Sequence, residues 1–294
     1  MPGRILIGVS GWRYPPWRGH FYPEGLVQAR ELEHAARAFP SLELNGSFYS
    51  LQRPSSYAMW AEQTPPGFVF AVKGSRYITH MLRLRNVRVA LANFFASGLF
   101  ALGDKLGPIL WQFPPNLQYD PALFEAFFRL LPRTTLAAAE LALERDGRLE
   151  GRDCLQVDRS RRLRHAIEVR HASFVTPDFI RQLRRHRIAW VVADTPRPWP
   201  LYEDVTSDFV YMRLHGATEL YNSRYTTEEL ERWARLMAAW AAGGQPAHAR
   251  LIAPGEPPSQ RTRRDVFCYF DNTDKRHAPD NARELMAMLE GPAA

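Results

Sequence analysis

Along the chain, short apolar runs alternate with segments of helical spacing. Eight of these runs read as strands: 5–10, 41–45, 68–73, 107–112, 166–171, 188–193, 209–215 and 266–270. Between them, apolar residues recur every three or four positions over 31–39, 54–60, 87–102, 121–131, 177–186, 227–241 and 279–289, the mark of amphipathic helices. Eight strands alternating with helical segments predict an α/β protein whose parallel sheet closes into a (β/α)8 TIM barrel. One stretch breaks the rhythm. Residues 133–164 are rich in arginine and contain a helical segment at 136–143, and they read as an insertion on the barrel before strand five. One domain spanning 1–294 is expected.

The fifth run shows how the strands carry chemistry. Period two places Ala166, Glu168 and Arg170 on one face and Ile167 and Val169 on the other. Neighbouring runs also end in polar residues, and the C-terminal mouth is where barrel enzymes assemble their sites. On that basis Ser10, Glu43, Asn45, Lys73, Gln112, Glu168, Arg170, Asp194, Arg213 and His215 are expected to face the barrel axis at the mouth. Unpaired buried charge costs several kcal/mol, so such a ring needs mutual pairing, water or a ligand. The bland alternative is a self-satisfied network, with Glu168 on Arg213 and Glu43 on Arg170.

Each residue has a chemical reading. Arg170 and Arg213 form a fork for phosphate or carboxylate, and Arg76 and His80, just past strand three, would close over the anion. Lys73, desolvated among arginines, is a candidate base or Schiff-base amine unless Glu43 or Glu168 pairs with it. His215 is a candidate acid/base near neutral pH. Glu168 and Asp194 on adjacent strands would make a carboxylate pair, or with Glu43 and His215 a divalent-metal site. No local metal motif supports that ion, and no cofactor is required. Trp12 and Tyr221, with Trp17 and Tyr225, are placed as mouth-lining aromatics or as packing. Asn45, Gln112 and Asn272 complete the candidate contacts.

Composition narrows the picture without changing it. A hydrophobic share of 46% and a charged share of 23% are ordinary for a globular chain with a sizeable core. The net charge of +7 suits a small anionic ligand and leaves nucleic acid open as a partner, although the arginines form no stripe along the sequence. Cys154 and Cys268 match no metal or redox spacing and are expected to be free buried thiols. There is no apolar leader, no run long enough to span a membrane, no GxGxxG after the first strand and no GxxxxGK[ST]. A cytoplasmic protein without a membrane partner is expected.

Several phrases carry a resemblance. They are Gly8-Val-Ser-Gly-Trp12, Glu43-Leu-Asn45 with Ser47-Phe-Tyr49, Phe70-Ala-Val-Lys73 with Arg76-Tyr-Ile-Thr-His80, and Lys105-Leu-Gly-Pro108. Gln112-Phe-Pro-Pro115, Glu168-Val-Arg-His171, Arg213-Leu-His-Gly216 and Tyr269-Phe-Asp-Asn272 complete them. In this order they resemble the YecE-like family, a domain of unknown function. The resemblance implies a TIM barrel and brings no established activity. The chain departs from many relatives in having Asp271-Asn272 where they carry Asn-Asn, and in a longer 133–164 segment.

Three functions are compatible with these residues. The first is an enzyme running acid/base chemistry on a small phosphorylated, carboxylated or sugar-like substrate, with Arg170 and Arg213 on the anion, Glu168 and His215 moving protons, and Lys73 stabilising negative charge. The second is a nucleic-acid-binding or nuclease-like barrel, with or without a metal. The third is a non-catalytic ligand sensor or scaffold.

Overall fold

The computed structural model describes residues 1–216, 218–220, 223–272 and 276–290. Eight parallel strands, β1 Ile5–Val9, β2 Ser41–Leu44, β3 Val69–Lys73, β4 Leu106–Gln112, β5 His165–Glu168, β6 Ala189–Asp194, β7 Phe209–Leu214 and β8 Asp265–Phe270, form one sheet. Each strand pairs with its sequence neighbour and β1 pairs with β8. The remaining seam, between β1 and β2, is joined by a parallel bridge from Ser10 to Glu43 and by the Gly11 N–H donating to the Glu43 carbonyl at 2.8 Å. Gly8 permits that seam, because a Cβ there would collide with the Ser41 carbonyl. The result is a nearly closed TIM-type barrel.

Helices cover the outside: α1 Glu31–Ala38, α2 Gly46–Tyr49, α3 Pro54–Glu62, α4 Arg88–Ala96, α5 Pro121–Leu130, α6 Thr135–Ala142, α7 Pro177–Arg185, α8 Thr227–Ala241 and α9 Ala278–Glu290. Their starts are written locally. Pro sits in the first turn of α3, α5 and α7, Asp120 and Thr176 accept backbone N–H bonds as caps, and Thr226 with Glu229 closes a reciprocal capping box on α8. The expected helix over 87–102 is interrupted: α4 stops at Ala96, Gly98 takes φ +117°, and a tighter 3₁₀ segment follows. Within 133–164, α6 packs on α4, the Cys154 N–H donates to the Ala96 carbonyl at 2.8 Å, and Thr134 bridges to Arg162.

The barrel interior is graded from apolar to ionic. Strands β7 and β8 send in Phe209, Tyr211, Phe267 and Tyr269, while the facing strands supply small residues such as Gly8, Ala71, Ala166, Ala189 and Ala193. Large side chains on two strands thus fill space that the others leave, as close packing requires. Higher up, Tyr269 and Ser41 hydroxyls meet at 2.7 Å and the Tyr211 hydroxyl donates to Glu43 Oε2 at 2.7 Å. Above that layer, every inward position from β2, β3, β4, β5, β7 and β8 is polar or charged. The thiols differ from expectation in one respect: Cys268 is buried, whereas Cys154 is half-buried. No described helix is long and apolar enough to cross a membrane.

Candidate functional site

Arg213, on β7, is the centre of the polar layer and is 1% exposed. Its Nε and Nη2 donate to the two Glu43 oxygens at 3.0 and 2.9 Å, its Nη1 to Glu168 Oε2 at 2.8 Å, and its Nη2 also to Asp271 Oδ2 at 3.0 Å. Ser10 Oγ donates to Glu43 Oε1 at 2.7 Å, and Asn45 Nδ2 donates to Ser10 Oγ at 2.6 Å. One guanidinium therefore ties β1, β2, β5, β7 and the end of β8 together. All its donor groups are committed to three carboxylates, which removes it from the expected anion fork.

Glu168 is the second knot. Its Oε1 accepts from Arg170 Nε and Nη2 at 2.9 and 2.7 Å, so Arg170 pairs with Glu168 and not with Glu43 as the self-satisfied alternative had it. Burial pushes the Glu168 carboxyl up, but Arg213 and Arg170 outweigh it and hold the group far below the usual carboxylate range. A carboxylate held that firmly is an anchor and a poor proton carrier. His215 is fully buried, with Nδ1 3.2 Å from Asp271 Oδ2 and Nε2 3.4 Å from Arg213 Nη1. Burial and Arg213 lower its pKa, which favours the neutral ring.

Beside this knot lies a cavity of about 470 Å³ lined by Phe48, Tyr49, Lys73, Arg76, His80, Met81, Gln112 and Arg170. Among the described residues three cations face it and no carboxylate does. Lys73 is 7% exposed, its Nζ lies 4.3 Å above the Phe48 ring, and among the described residues no carboxylate comes within 4.0 Å of it. The alternative for Lys73, a pairing with Glu43 or Glu168, is thus not formed. Burial and Arg213 lower its pKa to about 8, against the opposing pull of Glu43, Glu168 and Asp271. His80 bonds Thr79 through Nδ1 at 2.9 Å, and burial, Arg170 and Lys73 lower its pKa to about 4. It sits on a π-helical turn, Tyr77–Met81, a distortion that aims side chains off the regular helical track. Arg76 stacks on Tyr49 with 5.5 Å to the ring centroid, and Arg170 stacks on Trp199 at 3.8 Å. These aromatic faces orient both guanidinium groups.

Other candidates lie elsewhere. Asp194 shares the outward face of β6 with Trp190 and Val192, and it bonds Tyr225 and Trp233 under α8, so it forms no pair with Glu168. Trp12 packs edge-on to Trp60 at 5.6 Å in the layer between sheet and helices, and Trp17 is wholly buried. Asn272 points away from the axis, donating to the Ser223 carbonyl and Asn281 Oδ1 at 3.1 and 3.0 Å. Tyr225 is buried, and its hydroxyl accepts from the Gly216 N–H at 3.0 Å. Tyr221 lies outside the described residues. Among the described residues no group of three or more His, Cys, Asp or Glu is arranged to hold a metal, and Arg213 occupies the space between Glu43 and Glu168. Sequence reasoning missed Phe48, Tyr49 and Trp199, and it treated Asp271 only as a departure from the family pattern.

A parallel eight-stranded barrel with an ionic knot and a cationic cavity at its C-terminal mouth defines the structural class. Within it, the chain belongs to the family described as Protein of unknown function DUF72, whose model matches residues 6–294. It is similar to UPF0759 protein YunF of Bacillus subtilis (strain 168), 23% identical with 97% of this chain and 95% of that one covered. It is also similar to UPF0759 protein YecE of Escherichia coli (strain K12), 30% identical over 43% of each chain. A crystal structure of a DUF72 family protein from Thermotoga maritima superposes with a TM-score of 0.70 at 24% identity, covering 98% of this chain and 99% of that one. One from Enterococcus faecalis gives 0.68 at 16% identity, with 99% and 97% covered. Both show the fold.

Proposed function

We propose that this chain is an enzyme that runs acid/base chemistry on a small anionic substrate in the cavity beside the knot, with Lys73 as the proton-moving group. One observation carries the reading: a buried amine with a pKa of about 8 faces a cavity that, among the described residues, is lined by cations and no carboxylate. Arg76 and Arg170 hold the anion in this scheme, each oriented by an aromatic face. Gln112, 5% exposed and inward at the end of β4, supplies a neutral polar contact. Glu43, Glu168, Arg213 and Asp271 form the rigid floor that holds Arg170 and sets the field at Lys73. An amine with a pKa near 8 exists in both protonation states around neutral pH, as a general base or acid requires. Glu168 and His215 position; Lys73 reacts.

The test begins with binding. Sulfate is the probe, titrated calorimetrically at pH 8.5 in two buffers of different ionisation enthalpy. A bound anion beside Lys73 raises its pKa, so binding takes up a fraction of a proton, and Lys73→Met abolishes the uptake. Chemistry is read as deuterium exchange from carbon adjacent to the carbonyl in a panel of phosphorylated and carboxylated aldehydes and ketones. The exchange kcat/KM, which reports the free enzyme, is expected to rise with pH through about 8. Sulfate binding without proton uptake, or exchange that survives Lys73→Met, would remove Lys73 from the role.

A further inference from the structure

The opposite end of the barrel carries a second concentration of positive charge. Arg162 and Arg164 lead into β5, Arg133 follows α5, Arg187 precedes β6, and Arg261 and Arg263 precede β8. The fold therefore gathers arginines distant in sequence at the N-terminal strand ends. Three recesses of about 900, 370 and 140 Å³ lie there, and they adjoin one another: the first two share Arg164, the last two share Arg187, and the first and last share Asp208 and Arg261.

Part of this charge is neutralised within the fold. Arg162 grips Asp208 with both terminal nitrogens at 2.6 and 2.9 Å, and Arg164 bridges Asp208 and Asp265 at 3.1 and 2.7 Å. That pairing explains the N-terminal face as a structural clasp. It leaves a surplus. Among the described residues, Arg4, Arg133, Arg187, Arg261 and Arg263 have no carboxylate within 4.0 Å, and all but the half-buried Arg133 are exposed. Burial together with Arg162 and Arg187 lowers the Arg133 pKa, so like charges crowd one another there.

We propose that this N-terminal face is a second binding surface, one that takes the phosphate backbone of a duplex nucleic acid. Planar guanidinium forks suit phosphate oxygens, and a row of adjoining recesses suits a chain of phosphates better than one isolated anion. Among the described residues no Phe, Tyr or Trp lines any of the three recesses. A single strand would want such rings for base stacking, whereas a duplex keeps its bases stacked inside and presents phosphate. Recognition here is therefore by backbone and indifferent to sequence. The surface is distinct from the mouth and stands whether or not Lys73 is a catalyst.

The experiment is fluorescence anisotropy with a labelled DNA duplex of about 20 base pairs and random sequence, at roughly 50 and 200 mM salt. About five phosphate contacts give a log–log salt slope near −4.5, or roughly a 500-fold loss of affinity between those salts. The combined variant Arg133→Gln, Arg261→Gln, Arg263→Gln, checked for folding by circular dichroism, is expected to lose at least about tenfold at the lower salt and to flatten the slope by roughly 3. Lys73→Met should bind the duplex like the wild type. Four results would each overturn the proposal: no saturation at the lower salt, unchanged affinity in the combined variant, loss of binding in Arg76→Gln with Arg170→Gln, which would move the contact to the mouth, or capture of inorganic polyphosphate but not of duplex.

Discussion

Two cations at the mouth, both buried, stand in opposite states. Arg213 has its donors committed to Glu43, Glu168 and Asp271, whereas Lys73, also inside the barrel, has an aromatic ring beneath it and, among the described residues, no carboxylate in contact. The first arrangement explains cohesion across the barrel. The second costs stability, because a buried ammonium without a partner is penalised by lost hydration. Density of charge alone would have marked Arg213 as the ligand-binding residue. The state of the partners reverses that ranking: a saturated charge is architecture, and an unsatisfied one is available to a ligand.

The contrast is broken most forcefully at Arg213. Arg213→Met leaves three carboxylates in the floor with no guanidinium between them, and removing one member of a buried ionic cluster typically costs about 3–5 kcal/mol. Urea denaturation at pH 7 should show a loss of that order. A loss below about 1 kcal/mol would mean that water or rearrangement satisfies the carboxylates and that the knot does not hold the mouth.

Lys73→Met should act with the opposite sign. Because the folded pKa of about 8 lies below the ordinary 10.5, the unfolded chain binds more protons than the native one between those values. Native stability therefore rises with pH across that window, and the penalty is fully present below pH 8. The depression corresponds to roughly 3 kcal/mol as an order of magnitude. The variant should equal or exceed the wild type at pH 7 and lose the component of stability that grows between pH 8 and 10.5. Denaturation midpoints collected across that range check it. Identical pH profiles for the two proteins would show that Lys73 is not desolvated in solution.

Much of this mouth was readable where a strand alternates. In Ala166-Ile-Glu-Val-Arg period two separates a charged face from an apolar one, and Glu168 and Arg170 do point inward; in the run ending at Lys73 both faces are apolar, and Lys73 points inward because Val69 and Ala71 take the axis. It was not readable where both faces are apolar. Trp190-Val-Val-Ala193 is buried on both sides, so nothing in the run shows that Ala189, Val191 and Ala193 take the axis and Asp194 the helix side. The same ambiguity at the end of β8 hid the choice between Asp271 and Asn272. Pairing was harder than facing: Glu43 meets Arg213 rather than Arg170 because of register across the closed barrel, which no local pattern encodes. The N-terminal arginines show the limit from another side. No stripe exists in the sequence, since Arg133, Arg162, Arg187 and Arg261 are neighbours only after closure.

Asp271 links the saturated and unsatisfied cations and allows the finest test. Asp271→Asn keeps an acceptor for Arg213, which retains Glu43 and Glu168, so the stability cost should be about 1 kcal/mol or less. The charge, however, is gone. Asp271 is one of three carboxylates that raise the Lys73 pKa against burial and Arg213, and its removal should move that pKa below about 8. Reductive methylation of Lys73, followed by peptide mass spectrometry over a pH series, reads the midpoint directly. A lower midpoint in the variant would show that the knot tunes the amine through the field of its carboxylates. An unchanged or higher midpoint would show that the Asp271 charge does not reach Lys73, leaving the depression to burial and Arg213.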